Sequence, residues 1–169
     1  MRYAVLPHGR QTLQHAQETV ANYPRPPRLE PTARHVRIVF AGETILDTDA
    51  AWRVLETYHP PGFYMPAAAF VPGVLVKTAR SSFCEWKGTA EYYSVRAGGR
   101  VAPDAAWGYP DPTPGFLPIR GHVAVYAGVM DACFVDGERV TPQAGGFYGG
   151  WITSELVGPF KGAPGTLTW

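Results

Sequence analysis

The sequence predicts one all-β domain, a small twisted barrel or a two-sheet tent, with a short N-terminal helical or extended arm. Three observations predict it. Nineteen glycines and seventeen prolines are spread along the 169 residues as punctuation, which favours short strands joined by tight turns. Apolar residues recur in short runs of period two. Hydrophobic residues make up 46% and aromatic residues 13% of the chain, so burial can offset the entropy of ordering without disulfide or metal staples.

Three regions are expected. Residues 1–34 form an N-terminal arm. Thr12–Val20 suits a short helix, and Tyr23-Pro24-Arg25-Pro26-Pro27 forces an extended run. Residues 35–140 form the β domain. Val36, Ile38 and Phe40 alternate with His35, Arg37 and Val39 as a strand does, and Ala41-Gly42 turns the chain into a return strand over Glu43–Leu46. Ala51–Tyr58 fits a helix or a strand and ends at His59-Pro60-Pro61-Gly62; Phe63–Met65 is a strand, and Pro72-Gly73 turns. Ser82–Trp86 and Ala90–Val95 form a hairpin about Gly88, and Ala97–Arg100 is a loop. Trp107–Tyr109 runs into a proline-rich loop. His122–Tyr126 and Ala132–Val135 are strands, followed by a turn at Asp136-Gly137-Glu138. Residues 141–169, rich in glycine and aromatics, wrap the domain. Trp86-Lys87-Gly88 and Phe160-Lys161-Gly162 are similar pieces, too short to define a repeat.

Fifteen Lys and Arg stand against fourteen Asp and Glu, so no long-range field draws nucleic acid or an anionic membrane. No apolar run approaches the ~20 residues that span a bilayer, and residues 1–11 lack the apolar core of a secretory signal. Cys84 and Cys133 form no disulfide framework, which suggests free thiols and a cytoplasmic setting.

Reactive groups are densest in Ser81–Tyr93. On a regular strand Ser82, Cys84 and Trp86 share one face, and Phe83, Glu85 and Lys87 the other. Cys84 and Lys87 then point apart unless a bulge or turn at Gly88 re-aims the lysine. The bland alternative makes Cys84 and Trp86 core and Glu85–Lys87 an exposed ion pair. A lysine among aromatics is expected to lose hydration and have its pKa lowered, suiting Schiff-base, proton-transfer or anion-binding work.

Cys84-x-Trp86-Lys87-Gly88-x-Ala90-x-Tyr92-Tyr93, Ala106-Trp107-x-Tyr109-Pro110-x-Pro112 and Val135-Asp136-Gly137-Glu138 together resemble the family filed as domain of unknown function 427. Upstream, Glu56-Thr57-x-His59-Pro60-Pro61-x-x-Tyr64-x-Pro66 resembles it too, and the likeness covers about residues 35–140. Gly146–Thr153 and Gly158–Gly162 resemble a longer bacterial subset. The resemblance implies a compact β fold related to the Mss4-like, or β-tent, group, and no settled activity. A nucleotidyltransferase label sometimes attached to the family finds no support in these residues. Other β-tent proteins hold zinc with two Cys-x-x-Cys pairs, whereas Cys84 and Cys133 each stand alone. The wider group suggests an aromatic-lined ligand pocket on the sheet.

Two functional readings follow. In the first, an unidentified small molecule occupies that pocket, as an enzyme's substrate or a binder's ligand. Lys87 is the anchor or catalytic amine; Glu56, His59 and Glu91 are acid–base candidates; Tyr64, Trp86, Tyr92, Trp107 and Tyr109 are the lining. In the second, a non-catalytic module uses the aromatic tail Phe147–Trp151 to meet a partner or a second subunit. No cofactor is expected. Glu56-x-x-His59 has the spacing of a helical metal pair, but no second pair accompanies it. The Gly158–Thr166 stretch misplaces its lysine for a phosphate loop, and Ser81 or Ser82 with His59 lacks a triad's spacing.

Overall fold

The computed structural model describes residues 15–169. Fifteen strands run in chain order among them: β1 (Glu18–Thr19), β2 (Arg28–Thr32), β3 (Val36–Phe40), β4 (Glu43–Thr48), β5 (Ala51–Leu55), β6 (Gly62–Pro66), β7 (Leu75–Cys84), β8 (Gly88–Ala97), β9 (Arg100–Gly108), β10 (His122–Val125), β11 (Ala132–Val135), β12 (Glu138–Arg139), β13 (Thr141–Pro142), β14 (Trp151–Ile152) and β15 (Leu156–Val157). A seven-stranded sheet has the order β2-β5-β6-β10-β9-β8-β7, and a four-stranded sheet the order β12-β11-β3-β4. Two ribbons, β1-β15 and β13-β14, complete the set. Neither large sheet closes on itself, so the architecture is all-β and two-sheeted rather than a barrel. No helix among the described residues is long and apolar enough to cross a membrane.

Local chemistry accounts for the hairpins. Ala41-Gly42, Gly98-Gly99 and Asp136-Gly137 are two-residue turns with positive φ at both positions. That backbone twist matches the twist of the strands it joins. Ala51–Leu55 is a strand, because β2 and β6 pair with it on either side. The expected helix over Thr12–Val20 is corrected: residues 12–14 lie outside the described ones, Glu18–Thr19 is a strand, and Val20–Asn22 is one 3-10 turn. Tertiary pairing with β15 overrides the local preference.

Strand parity divides the large sheet into two faces. On β6, Phe63 and Met65 enter the main core while Tyr64 points the other way; on β10, Val123 and Val125 do so while Ala124 does not. The main core fills the space to the small sheet, which contributes Val36, Ile38, Phe40 and Leu46. The opposite, outer face carries Val54, Tyr64, Ala90, Tyr92 and Trp107. A bulge in β9 at Asp104, held by the Thr78 hydroxyl at 2.6 Å, precedes Trp107 and sets it opposite Tyr92.

Arg53 ties three segments together. It is 2% exposed on β5 and donates to both Glu18 oxygens at 2.9 Å and to Glu30 on β2 at 3.0 Å. Tyr23 adds a hydrogen bond to Glu18 at 2.6 Å. Burial by itself raises the Glu18 pKa, but the Arg53 and Tyr23 hydrogen bonds and the Arg53 charge outweigh it and hold it at about 2. The native value lies below the unfolded one near 4.5, so this contribution is complete above that pH and fades as pH falls toward 2. Chemical denaturation across this range is expected to show stability declining on acidification. In Glu18→Gln that decline is expected to be shallower; equal acid slopes in the two proteins would refute the assignment.

Candidate functional site

A cleft of about 720 Å³ opens on the outer face of the seven-stranded sheet. Tyr64, Tyr92 and Trp107 form its floor. The turn between β7 and β8, the segment after β5 and the C-terminal tail form its walls. The volume is in the range of small-molecule sites.

Lys87 reaches the cleft because regular strand geometry stops before it. Cys84 pairs with Gly88, so Glu85, Trp86 and Lys87 form a three-residue turn. Gly88 has φ +105°, and Thr113 closes on the turn through its hydroxyl to the Trp86 carbonyl at 2.6 Å. The turn before Gly88 re-aims the lysine, so Cys84 and Lys87 both line the cleft instead of pointing apart as on a regular strand. Trp86 is half-buried there rather than sealed in a core.

The Lys87 ammonium lies over the Tyr109 ring, 5.6 Å from its centre. Among the described residues it joins no ion pair, with Glu85 or any other carboxylate. Burial pulls its pKa down, but Tyr64, Cys84 and Glu56 pull it up further, and it ends above the ordinary lysine value. The expected lowering is therefore corrected: this lysine is a cation. Burial, with the neighbouring Tyr64, Cys84 and Tyr92, pushes the Tyr109 phenol up as well. Burial and Tyr92 push Tyr126 up to about 12.

Glu56 and His59 line the cleft from the segment after β5. Glu56 accepts from His59 Nε2 and from Arg25, each at 3.3 Å. Burial raises the Glu56 pKa, but the His59 hydrogen bond and the charges of Lys87 and Arg25 prevail and keep it below the usual carboxylate range. Gln143 sets the histidine tautomer. Its Oε1 accepts from the Gly150 amide at 3.0 Å, so its Nε2 is the donor, to the Lys161 carbonyl at 2.8 Å and to His59 Nδ1 at 3.1 Å. His59 Nδ1 must then accept, which leaves its proton on Nε2, facing Glu56.

The tail packs closely against this floor. A Cβ on Gly149 would lie 2.1 Å from the Trp107 ring, and one on Gly150 would lie 2.5 Å from the Pro60 carbonyl oxygen. Tyr148 meets the His59 ring edge-on at 4.7 Å. Trp107 stacks obliquely on Tyr126 at 4.5 Å and donates to the Tyr64 hydroxyl at 3.4 Å. Ser82 and Tyr92 share a hydrogen bond of 2.8 Å.

A family model described as a domain of unknown function (DUF427) matches residues 28–136. The chain belongs to that family. No curated protein matches it. The DUF427 segment runs from β2 to the turn after β11. It supplies Glu56, His59, Lys87 and the aromatic floor, whereas Arg25, Gln143, Tyr148, Gly149 and Lys161 come from outside it.

Of the residues singled out in the sequence, the fold brings Lys87, Glu56, His59, Tyr64, Trp86, Tyr92, Trp107 and Tyr109 to one cleft. Glu91 does not join them. It faces away from Tyr92 by strand parity and pairs with Lys77 at 3.0 Å. Trp151 belongs to the main core, 1% exposed and stacked on Phe63, while Phe147 is 65% exposed at the cleft rim. Tyr148 was expected to face a partner and instead lines the cleft, while Gln143, Tyr126 and Lys161 were not singled out. Only the Lys-Gly likeness of residues 86–88 and 160–162 signalled one of them.

Two outcomes are expected. In ¹⁵N-resolved NMR, His59 should show the Nε2–H tautomer at neutral pH, and Gln143→Leu should release it to a mixture; an Nδ1–H wild type would refute the Gln143 assignment. Gly149→Ala should destabilise the protein by about 2 kcal/mol and alter Trp107 emission. An unchanged unfolding midpoint would contradict the close approach.

Proposed function

We propose that this DUF427 protein binds a small organic anion in the cleft, its planar part among the aromatics and its charge on Lys87. One observation carries the reading: Lys87 is half-buried, lines the cleft and has no carboxylate within ion-pair distance among the described residues. A partly desolvated cation with no carboxylate in direct contact favours an anionic guest. The aromatic walls give apolar area and ring-stacking geometry. Schiff-base chemistry fits less well, because it needs a neutral amine. An enzymatic version keeps Glu56 in use as an acid–base group, with His59 as its positioning partner.

The reading of a non-catalytic interaction module rests on the exposed Phe147, and the burial of Trp151 narrows the tail surface left to it. A homo-oligomer belongs to that reading. Two free thiols suit a cytoplasmic setting.

Thermal-shift and calorimetric titrations with benzoate, indole-3-carboxylate and cyclohexanecarboxylate test the anion site. The wild type is expected to be stabilised, by about 2.7 kcal/mol at a hundredfold excess over Kd, with the flat acids preferred. Lys87→Met should weaken binding at least about tenfold while remaining folded. Equal binding by Lys87→Met and the wild type would remove Lys87 from the site.

A further inference from the structure

The cleft carries an anion as well as a cation, and the two do not meet. Glu56 directly follows β5, and Lys87 sits in the turn between β7 and β8. Both are half-buried and line the cleft. They form no ion pair with one another. Their charges still act on each other: Lys87 helps hold the Glu56 pKa down, and Glu56 helps hold the Lys87 pKa up. The gap between them is therefore wider than a direct contact, yet narrow enough for attraction to survive.

Neighbours place both head groups at the cleft. The Lys87 ammonium lies over the Tyr109 ring, 5.6 Å from its centre. The Glu56 carboxylate meets Arg25 and His59, each at 3.3 Å. Tyr109, Arg25 and His59 are all cleft residues. The contacts of Glu56 are one-sided, because Arg25 and His59 both reach Oε2. Among the described residues no donor hydrogen-bonds to Oε1. A carboxylate offers about four acceptor sites across its two oxygens, so Oε1 keeps its whole share. Gln143 keeps His59 as a neutral Nε2–H donor, which orients the carboxylate without cancelling its charge. Arg25 divides its guanidinium between Glu56 and the Thr57 carbonyl, the latter at 3.0 Å.

We propose that Glu56 Oε1 is an ammonium subsite, so that the ligand of this cleft is an aromatic amino acid, its carboxylate on Lys87, its amino group on Glu56 and its ring on the floor of Tyr64, Tyr92 and Trp107. This inference rests on the reading of the cleft as an anion site and adds the ligand's second charge. A zwitterion brings the opposite charge to each head group at once, and both contacts are charge-assisted hydrogen bonds. A plain acid satisfies Lys87 but sets its own charge near Glu56. Glu56 and Lys87 both fall within residues 28–136, so the subsite belongs to the DUF427 segment itself.

The test is calorimetry at neutral pH with 3-phenylpropionate, its amino derivatives phenylalanine and 3-amino-3-phenylpropionate, and 2-phenylethylamine. The two amino acids differ in the spacing of acid and amine. At least one is expected to bind the wild type about tenfold or more tighter than 3-phenylpropionate. In Glu56→Gln that gain should vanish, while 3-phenylpropionate binds no more weakly than to the wild type. Lys87→Met should weaken the amino acids and 3-phenylpropionate alike. Binding of 3-phenylpropionate with no gain from either amino group, or a gain that survives Glu56→Gln, would overturn the ammonium subsite and leave the anion reading standing. Binding of 2-phenylethylamine as tight as that of the amino acids, with 3-phenylpropionate inert, would overturn both in favour of a plain cation site. Failure of every probe to bind the wild type would also overturn both.

Discussion

The seven-stranded sheet must be covered on both faces, and the rest of the structure depends on how that is done. Strand parity sends Phe63, Met65, Val123 and Val125 inward against the small sheet. The same parity sends Tyr64, Tyr92 and Trp107 outward. An aromatic face of that kind is costly to leave in water. It is covered incompletely, by the β7–β8 turn and by the tail, and the uncovered remainder is the cleft. The site is thus a consequence of a sheet with two apolar faces and a small second sheet that shields only one.

Coverage by the tail demands backbone without side chains. Gly149 lies against Trp107 and Gly150 against Pro60. The polar cost of bringing backbone so close is met by Gln143, whose amide serves Gly150, Lys161 and His59 together. One side chain therefore anchors the tail and orients the histidine. Structural support and site chemistry share atoms here, so a change that loosens the tail also alters the Glu56–His59 pair.

Much of the fold was legible because its signals are local. Period-two runs gave the strands over Val36–Phe40 and Ala132–Val135, and paired turn residues gave the hairpins at Ala41-Gly42 and Asp136-Gly137. The stretch after Thr12 misled, because its strand depends on β15, more than 130 residues away. In the site, the aromatic floor and Lys87 were visible as a dense cluster, but their geometry was not. Parity put Cys84 and Lys87 on opposite faces, and the turn at Glu85–Lys87 cancels parity. Glu91, close in sequence, stays on the strand and so points away.

By itself the sequence determined the all-β class, the family and the residue types that crowd one segment, since these depend on local pattern and turn chemistry. The tertiary structure alone decided which groups share a space. It placed Gln143 beside His59, 84 positions earlier, and brought Lys161 to the same cleft as Lys87. It also decided the charge state of Lys87. Neighbours such as Tyr64 and Glu56, distant in the chain and close in the fold, outweigh the loss of hydration and keep the ammonium charged.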